Sequence, residues 1–159
     1  MQLVNKRAFE WMARIGYVAN LTDVDRDTLE ALLKRDNIAD FKEWATGDYP
    51  RYTVLYLEPE TPQSRAVGFD MASDPKRWAA MDRAIHTEKP AMAGPITLRK
   101  EELGINREEA LILFVPVFYA KDQIQSDLDR EKHTIGFVFA PVLPRHMLGG
   151  KQQNRSERC

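Results

Sequence analysis

Hydrophobic positions in the first part of the chain recur at helical spacing. From Leu3 to about Asn20, the residues Phe9, Met12 and Ile15 fall three apart with no proline between them, which predicts a helix. A second helix is predicted over about Asp25 to Arg35, where Leu29, Leu32 and Leu33 share one face. Thr22 or Asp23 would cap its start by accepting from the orphan amides of the first turn. Asn37 to Trp44 is too short to divide between helix and strand.

The period then changes. Tyr52-Thr-Val-Leu-Tyr-Leu57 is β-branched and aromatic and predicts a strand. Glu58 to Ser64 is a turn-rich connection, and Ala66-Val-Gly-Phe-Asp70 is a short apolar stretch that ends on an acid. Ser73-Asp-Pro75 starts a helix, because capping side chains precede a proline whose missing N–H costs nothing there. That helix runs to about Thr87 with Trp78, Met81 and Ile85 on its buried stripe. Three strands are predicted after it, over Ala91 to Leu98, Ala110 to Tyr119 and Thr134 to Val142. Arg99 to Glu109 reads as a charged hairpin loop, and Lys121 to His133 as a longer charged connection with room for a helical turn. Gly149 to Cys159 reads as a polar, disordered tail. Helices first, then a strand, a helix and three strands indicate an α+β fold, with helices segregated to one side of an antiparallel sheet. Such an arrangement suits a small-molecule pocket.

Composition narrows the function classes. A chain of 159 residues suggests one domain, and 43% hydrophobic with 30% charged residues is an ordinary globular mixture. A formal net charge of −1 argues against a nucleic-acid partner, which calls for a basic surface. No apolar run approaches the roughly 20 residues that cross a bilayer, and the N-terminus lacks the signal-peptide pattern. These features alone describe a soluble cytoplasmic protein, and a segment cut from between two membrane spans would read the same. The single cysteine, Cys159, is terminal and excludes an internal disulfide or a multi-cysteine metal site.

The candidate chemistry is sparse. His86, His133 and His146 include no pair at the spacing of a helical metal site, and no metal ligand or cofactor is expected. No nucleophile elbow, phosphate-binding glycine loop or dinucleotide fingerprint occurs, so no catalytic residues are assigned. His86 falls at a predicted helix C-terminus, where partial positive charge is favourable. Glu101-Glu102 and Glu108-Glu109 fall in the predicted loop and read as solvated charge. Asn20-Leu-Thr22 and Asn154-Arg-Ser156 match the glycosylation pattern, a short match that arises often by chance. Trp11, Trp44 and Trp78 read as packing residues.

Four blocks in order carry a family resemblance. Gly68-Phe-Asp-Met-Ala-Ser-Asp-Pro75, followed by a helix and then Gly94-Pro-Ile-Thr-Leu98, resembles the central signature of CHASE domains. Leu113-Phe-Val-Pro-Val-Phe-Tyr119 is similar to the family's apolar strand, and Ile135-Gly-Phe-Val-Phe-Ala140 to its last strand. Tyr52 to Glu60 resembles the strand before the signature, and Phe9-Glu-Trp11 the end of the entry helix. The resemblance implies an extracytoplasmic sensor, periplasmic or extracellular, in a membrane-anchored receptor with a histidine kinase, a diguanylate cyclase or another cyclase as output. It implies N-terminal helices followed by a PAS-like sheet. Residues 1–20 would end the stalk helix, 21–148 would form the ligand-binding module, and 149–159 would be the tail. A homodimer through the N-terminal helix is the implied assembly. Too little chain follows Val142 for a full membrane-proximal module.

The resemblance also marks a pocket. Asp70 matches the acidic position that meets the adenine in cytokinin-binding relatives, which implies an adenine-type or amine-bearing ligand. A carboxylate beside a core needs partners in any case. They could be the donors of such a ligand, the next segment's backbone, or Arg83 or Arg77. Met92 matches an apolar pocket position and equally fits ordinary packing. Leu113 and Val115 share one strand face and are assigned to the pocket from the family match. Gly136 would admit close approach of a ligand or backbone, or mark a bulge. Pro116 within a strand predicts an edge or a bulge. The competing function is a protein- or peptide-interaction module without a small ligand, which would show a filled core and an exposed apolar patch.

Overall fold

Side-chain alternation along the strands decides which residues meet the central helix and which face away. The computed structural model describes residues 14–38, 41–43, 50–58, 66–98 and 108–143. Its strands are β1 (Ile15–Asn20), β2 (Tyr52–Glu58), β3 (Ala91–Leu98), β4 (Glu108–Phe118) and β5 (Thr134–Val142). Its helices are α1 (Arg26–Arg35), α2 (Pro75–Thr87) and α3 (Asp127–His133), with short 3-10 turns at Met71–Ser73 and Lys121–Gln123. The strands form one antiparallel five-stranded sheet in the order β2-β1-β5-β4-β3. The fold is therefore α+β. Among the described residues no helix is long and apolar enough to cross a membrane.

Among the described residues, the expectation of helices ahead of the sheet does not hold. Ile15 to Asn20 is a strand, and the first helix follows it; the rest of the predicted entry helix, 1–13, lies outside the described residues. From Ile15 onward the helical spacing is outweighed because β1 is a central strand. Tyr17, Val18 and Ala19 pair with β2 on one side and β5 on the other. Aromatic and β-branched side chains favour that doubly paired setting.

Helix α1 starts one residue later than predicted and takes a different cap. Asp25 Oδ1 accepts from the Thr28 amide at 2.7 Å, whereas Thr22 donates its own amide to Asn20 Oδ1 at 3.1 Å and stays in the turn. The Asn20 amide nitrogen donates to the Thr134 carbonyl at 2.9 Å, so this side chain ties β1 to β5. Helix α2 begins as predicted. Asp74 Oδ1 accepts from the Lys76 amide at 3.0 Å with Pro75 in the first turn, and Asp74 Oδ2 accepts from Arg77 Nη1 at 2.9 Å. Asp74→Ala is expected to cost about 1–3 kcal/mol, through loss of the cap and of a buried guanidinium's partner. A lower urea midpoint at unchanged slope would report it.

The main core lies between the sheet and α2. Met81, Ala84 and Ile85 from the helix meet Val18, Val54, Ile112, Phe114, Phe137 and Phe139 from the strands. Edge-on aromatic contacts cross the sheet, from Tyr52 to Phe137 at 5.4 Å and from Phe137 to Phe114 at 5.9 Å. Trp78 is partly buried on this core, 5.7 Å from the Tyr52 ring. A second, smaller cluster joins Ala19, Leu21 and Leu55 to Leu29 and Leu33 of α1. Val18 and Ala19 are neighbours on one strand and point to opposite faces. Helix α1 therefore covers the face opposite α2, so the helices are not confined to one side as expected.

The strand ends depart in small ways from the sequence reading. Strand β4 begins at Glu108, so Glu108 and Glu109 pair with Leu98 and Thr97 instead of lying in a loop. Strand β3 is broken in register between Ala93 and Ile96, where Gly94 has φ of +127° and precedes a cis bond to Pro95. Pro116 lies past the end of β3, whose first residue Ala91 pairs with Phe114, so among the described residues no strand pairs with that edge of β4. The connection 121–133 contains α3, more helix than expected. Residues 59–65, 99–107 and the tail lie outside the described ones, as do Trp11, Trp44, His146 and the second glycosylation match.

Candidate ligand site

The short stretch that ends on Asp70 runs along the outer edge of β2. Gly68 donates its amide to the Val54 carbonyl at 2.8 Å, and Val54 donates back to Phe69 at 3.0 Å. Gly68 has φ of +92°, and a Cβ there would collide with the Lys42 carbonyl, so only glycine lets this edge close. The pairing turns Phe69 into the main core and carries Asp70 to a fully buried position.

Asp70 spends its carboxylate on the backbone. Oδ1 accepts from the Tyr52 amide at 3.0 Å and from the Ala72 amide at 3.1 Å. Its own carbonyl accepts from Ser73 Oγ at 2.6 Å. These bonds tie β2 to the turn that launches α2, which is the capping role weighed beside ligand contact. Of the two arginines considered as partners, Arg77 pairs with Asp74, and Arg83 donates to the Met92 carbonyl at 2.9 Å.

The other four marked residues lie together, away from Asp70. Ile112 and Phe114 enter the α2 core, so Leu113 and Val115 between them face the opposite side. Met92 pairs with Leu113 in the ladder and is 42% exposed. Gly136 pairs with Ala19 and Val117, and a Cβ on it would collide with the Val18 carbonyl and stand 2.8 Å from the Tyr17 hydroxyl. It is strand β1 that makes close approach at Gly136. Met92, Leu113, Val115 and Gly136 thus share the sheet face away from α2. Met92→Ser is expected to change stability by no more than about 0.5 kcal/mol, because the side chain already meets water. Thermal melting of the variant would check this.

A small internal cavity lies elsewhere, between the sheet and the start of α2. Leu57, Phe69, Met71, Leu98, Ile112 and Arg77 line it, and its volume is about 20 Å³. That is room for about one water molecule. Its apolar walls follow from the inward alternation of β2, β3 and β4. Arg77 is its charged member, 4% exposed, with its guanidinium 5.0 Å from the centre of the Phe69 ring. A buried cation is costly unless it is paired, and Asp74 and the ring face supply that pairing. Sequence reading considered Arg77 only as a partner for Asp70. Its place on the buried stripe is nonetheless visible in its spacing to Ala80, Met81 and Ala84.

A larger depression, about 400 Å³, lies by α1 and is broad and half-open. Arg51 and Glu43 pair across its floor at 3.2 Å.

Searching curated proteins with this sequence gives no match. The family model described as the CHASE domain matches residues 1–158, essentially the whole chain. The edge segment with its buried Asp70, the capped α2 and the following strands are the parts of the fold that the four sequence blocks occupy. The chain belongs to the CHASE domain family, the extracytoplasmic sensory domains of membrane receptors.

Proposed function

We propose that this chain senses a small molecule taken into the space between the sheet and the N-terminal end of α2, and relays its arrival to a cytoplasmic kinase or cyclic-di-nucleotide output domain. The observation that carries this reading is the buried Arg77 on the wall of an otherwise apolar cavity, within a sensory family. A cavity of about 20 Å³ is far below the roughly 300 Å³ at which ligand pockets begin. Binding therefore requires the start of α2, with Met71 and Arg77, to move away from Leu57, Leu98 and Ile112. That displacement is the signal, since a ligand shifts a conformational equilibrium only through its different affinity for the two states. A guanidinium at the wall favours a ligand that offers an acceptor, such as a carboxylate or a ring nitrogen. The sheet order, with a helix packed over one face, supports a PAS-like module.

A thermal-shift screen against amino acids, carboxylates, adenine-type bases and small amines tests this. Ligand at 100 times its dissociation constant adds about 2.7 kcal/mol, which raises the melting temperature by several degrees. The shift is expected in the wild type and lost in a folded Ala66→Val, whose two added methyl groups take up the small cavity that Ala66 lines. A shift retained in that variant contradicts this location.

One observation favours a second reading. Met92, Leu113 and Val115 leave an apolar strip partly open on the far face of β3 and β4, which a protein partner could cover. Under that reading no small molecule shifts the melting temperature.

A further inference from the structure

Three carboxylates converge on one imidazole where α2 meets α3. Asp82 and His86 lie one turn apart on α2, and Asp127 and Glu131 lie one turn apart on α3. His86 Nε2 stands 3.1 Å from Asp82 Oδ1 and 3.5 Å from Glu131 Oε1. The other ring nitrogen, Nδ1, stands 3.3 Å from Asp127 Oδ1. One oxygen from each of Asp82 and Glu131 and one nitrogen of His86 all lie within 4.8 Å of one another. Two donor atoms on a tetrahedral zinc ion, each about 2.0–2.1 Å from it, are about 3.3 Å apart. The two Nε2 distances bracket that value.

The hydrogen bonding around the ring points the same way. Asp127 is itself fixed by Arg130 Nη1 at 2.6 Å. An imidazole that donates Nδ1–H to this anchored carboxylate presents the Nε2 lone pair to Asp82 and Glu131. A lone pair facing two carboxylate oxygens is repulsive unless a proton or a metal cation stands between them, and a metal ion meets both oxygens where a proton bonds one. The orienting carboxylate on the far ring nitrogen is also the second-shell partner that metal-bound histidines usually have. The surrounding ion pairs set four carboxylates, Asp82, Glu88, Asp127 and Glu131, against one guanidinium, Arg130.

We propose that Asp82, His86 and Glu131 form a binding site for a divalent transition metal of the Zn²⁺ class that fastens α3 to α2, with Asp127 orienting the imidazole. One nitrogen and two carboxylate ligands suit Zn²⁺ better than Ca²⁺ or Mg²⁺, which prefer all-oxygen shells. All three side chains are partly exposed, so solvent supplies the remaining position. Helix α3 runs directly into β5, so the metal would tie the outer helix pair to a central strand. Sequence search for a histidine pair misses this site, because its partners are carboxylates and one comes from a distant helix.

The test is calorimetric titration of Zn²⁺ into metal-free chain carrying Cys159→Ser, which removes the terminal thiol as a competing ligand. One equivalent is expected to bind with micromolar affinity, and Co²⁺ in its place should give visible absorption from a low-symmetry site. His86→Ala and Glu131→Gln should each weaken binding about tenfold or more, and His133→Ala should leave it unchanged. Mg²⁺ and Ca²⁺ should give no heat. Should His86→Ala fail to fold, the half-exposed Glu131→Gln carries the test alone. Absence of Zn²⁺ binding in the parent chain overturns the proposal. Binding retained in both variants, or equal binding of Ca²⁺, also overturns it.

Discussion

Asp70→Ala is expected to destabilise the chain by about 2–5 kcal/mol, because it leaves the Tyr52 and Ala72 amides without their acceptor beside a buried edge. Asp70→Asn keeps a carbonyl oxygen at the same place and should lose clearly less. Urea unfolding of both variants separates the two, and a loss below about 1 kcal/mol in Asp70→Ala would contradict the structural role. The pair also bears on function. A ligand response that disappears in Asp70→Ala says little, since β2 and the start of α2 come loose together. A response that disappears in a folded Asp70→Asn would show that the carboxylate also meets the ligand.

The second large effect is expected at Gly136. A side chain there drives its Cβ into the Val18 carbonyl and the Tyr17 hydroxyl. The carbonyl belongs to a strand paired on both sides and has no room to yield. Gly136→Val should cost about 3 kcal/mol or more, and Gly136→Ala nearly as much because the first carbon already collides. A cost of that size lowers the melting temperature by about 6–12 °C in a domain of this length. Melting within a degree or two of the wild type would show that β1 can retreat.

Where sequence pattern and packing agreed, elements were legible. Pro75 behind Asp74 marks the start of α2, and the apolar runs mark β2, β3, β4 and β5 to within a residue or two. The failure at β1 has a physical origin. Ile15, Gly16 and Tyr17 are read as helix or strand only after β2 and β5 are known to flank them, and that information is not local. The placement of α1 on the far face is equally invisible, because an amphipathic stripe shows that a helix packs but not against which face.

None of the five residues marked from the sequence lines the inner cavity, although Asp70 stands between two that do, Phe69 and Met71. The family signature directs attention to the segment that holds Asp70, and that residue is fully buried. Period-2 alternation groups Leu113 with Val115 but does not say which face meets α2. Met92 and Gly136 join them through ladder register, which no single strand encodes. Arg77 stood on the buried stripe in plain view. A charged residue at such a position needs a neighbour like Asp74 and Phe69 to explain it, and only the fold shows both.

Methionine-methyl NMR separates the two faces most directly. Met71 lines the inner cavity and Met92 lies on the far face of the sheet. With ¹³C-methyl methionine in the chain and a ligand from the screen added stepwise, the Met71 resonance should shift and saturate while Met92 stays in place. A saturating shift at Met92 with Met71 unmoved would contradict ligand entry between the sheet and α2.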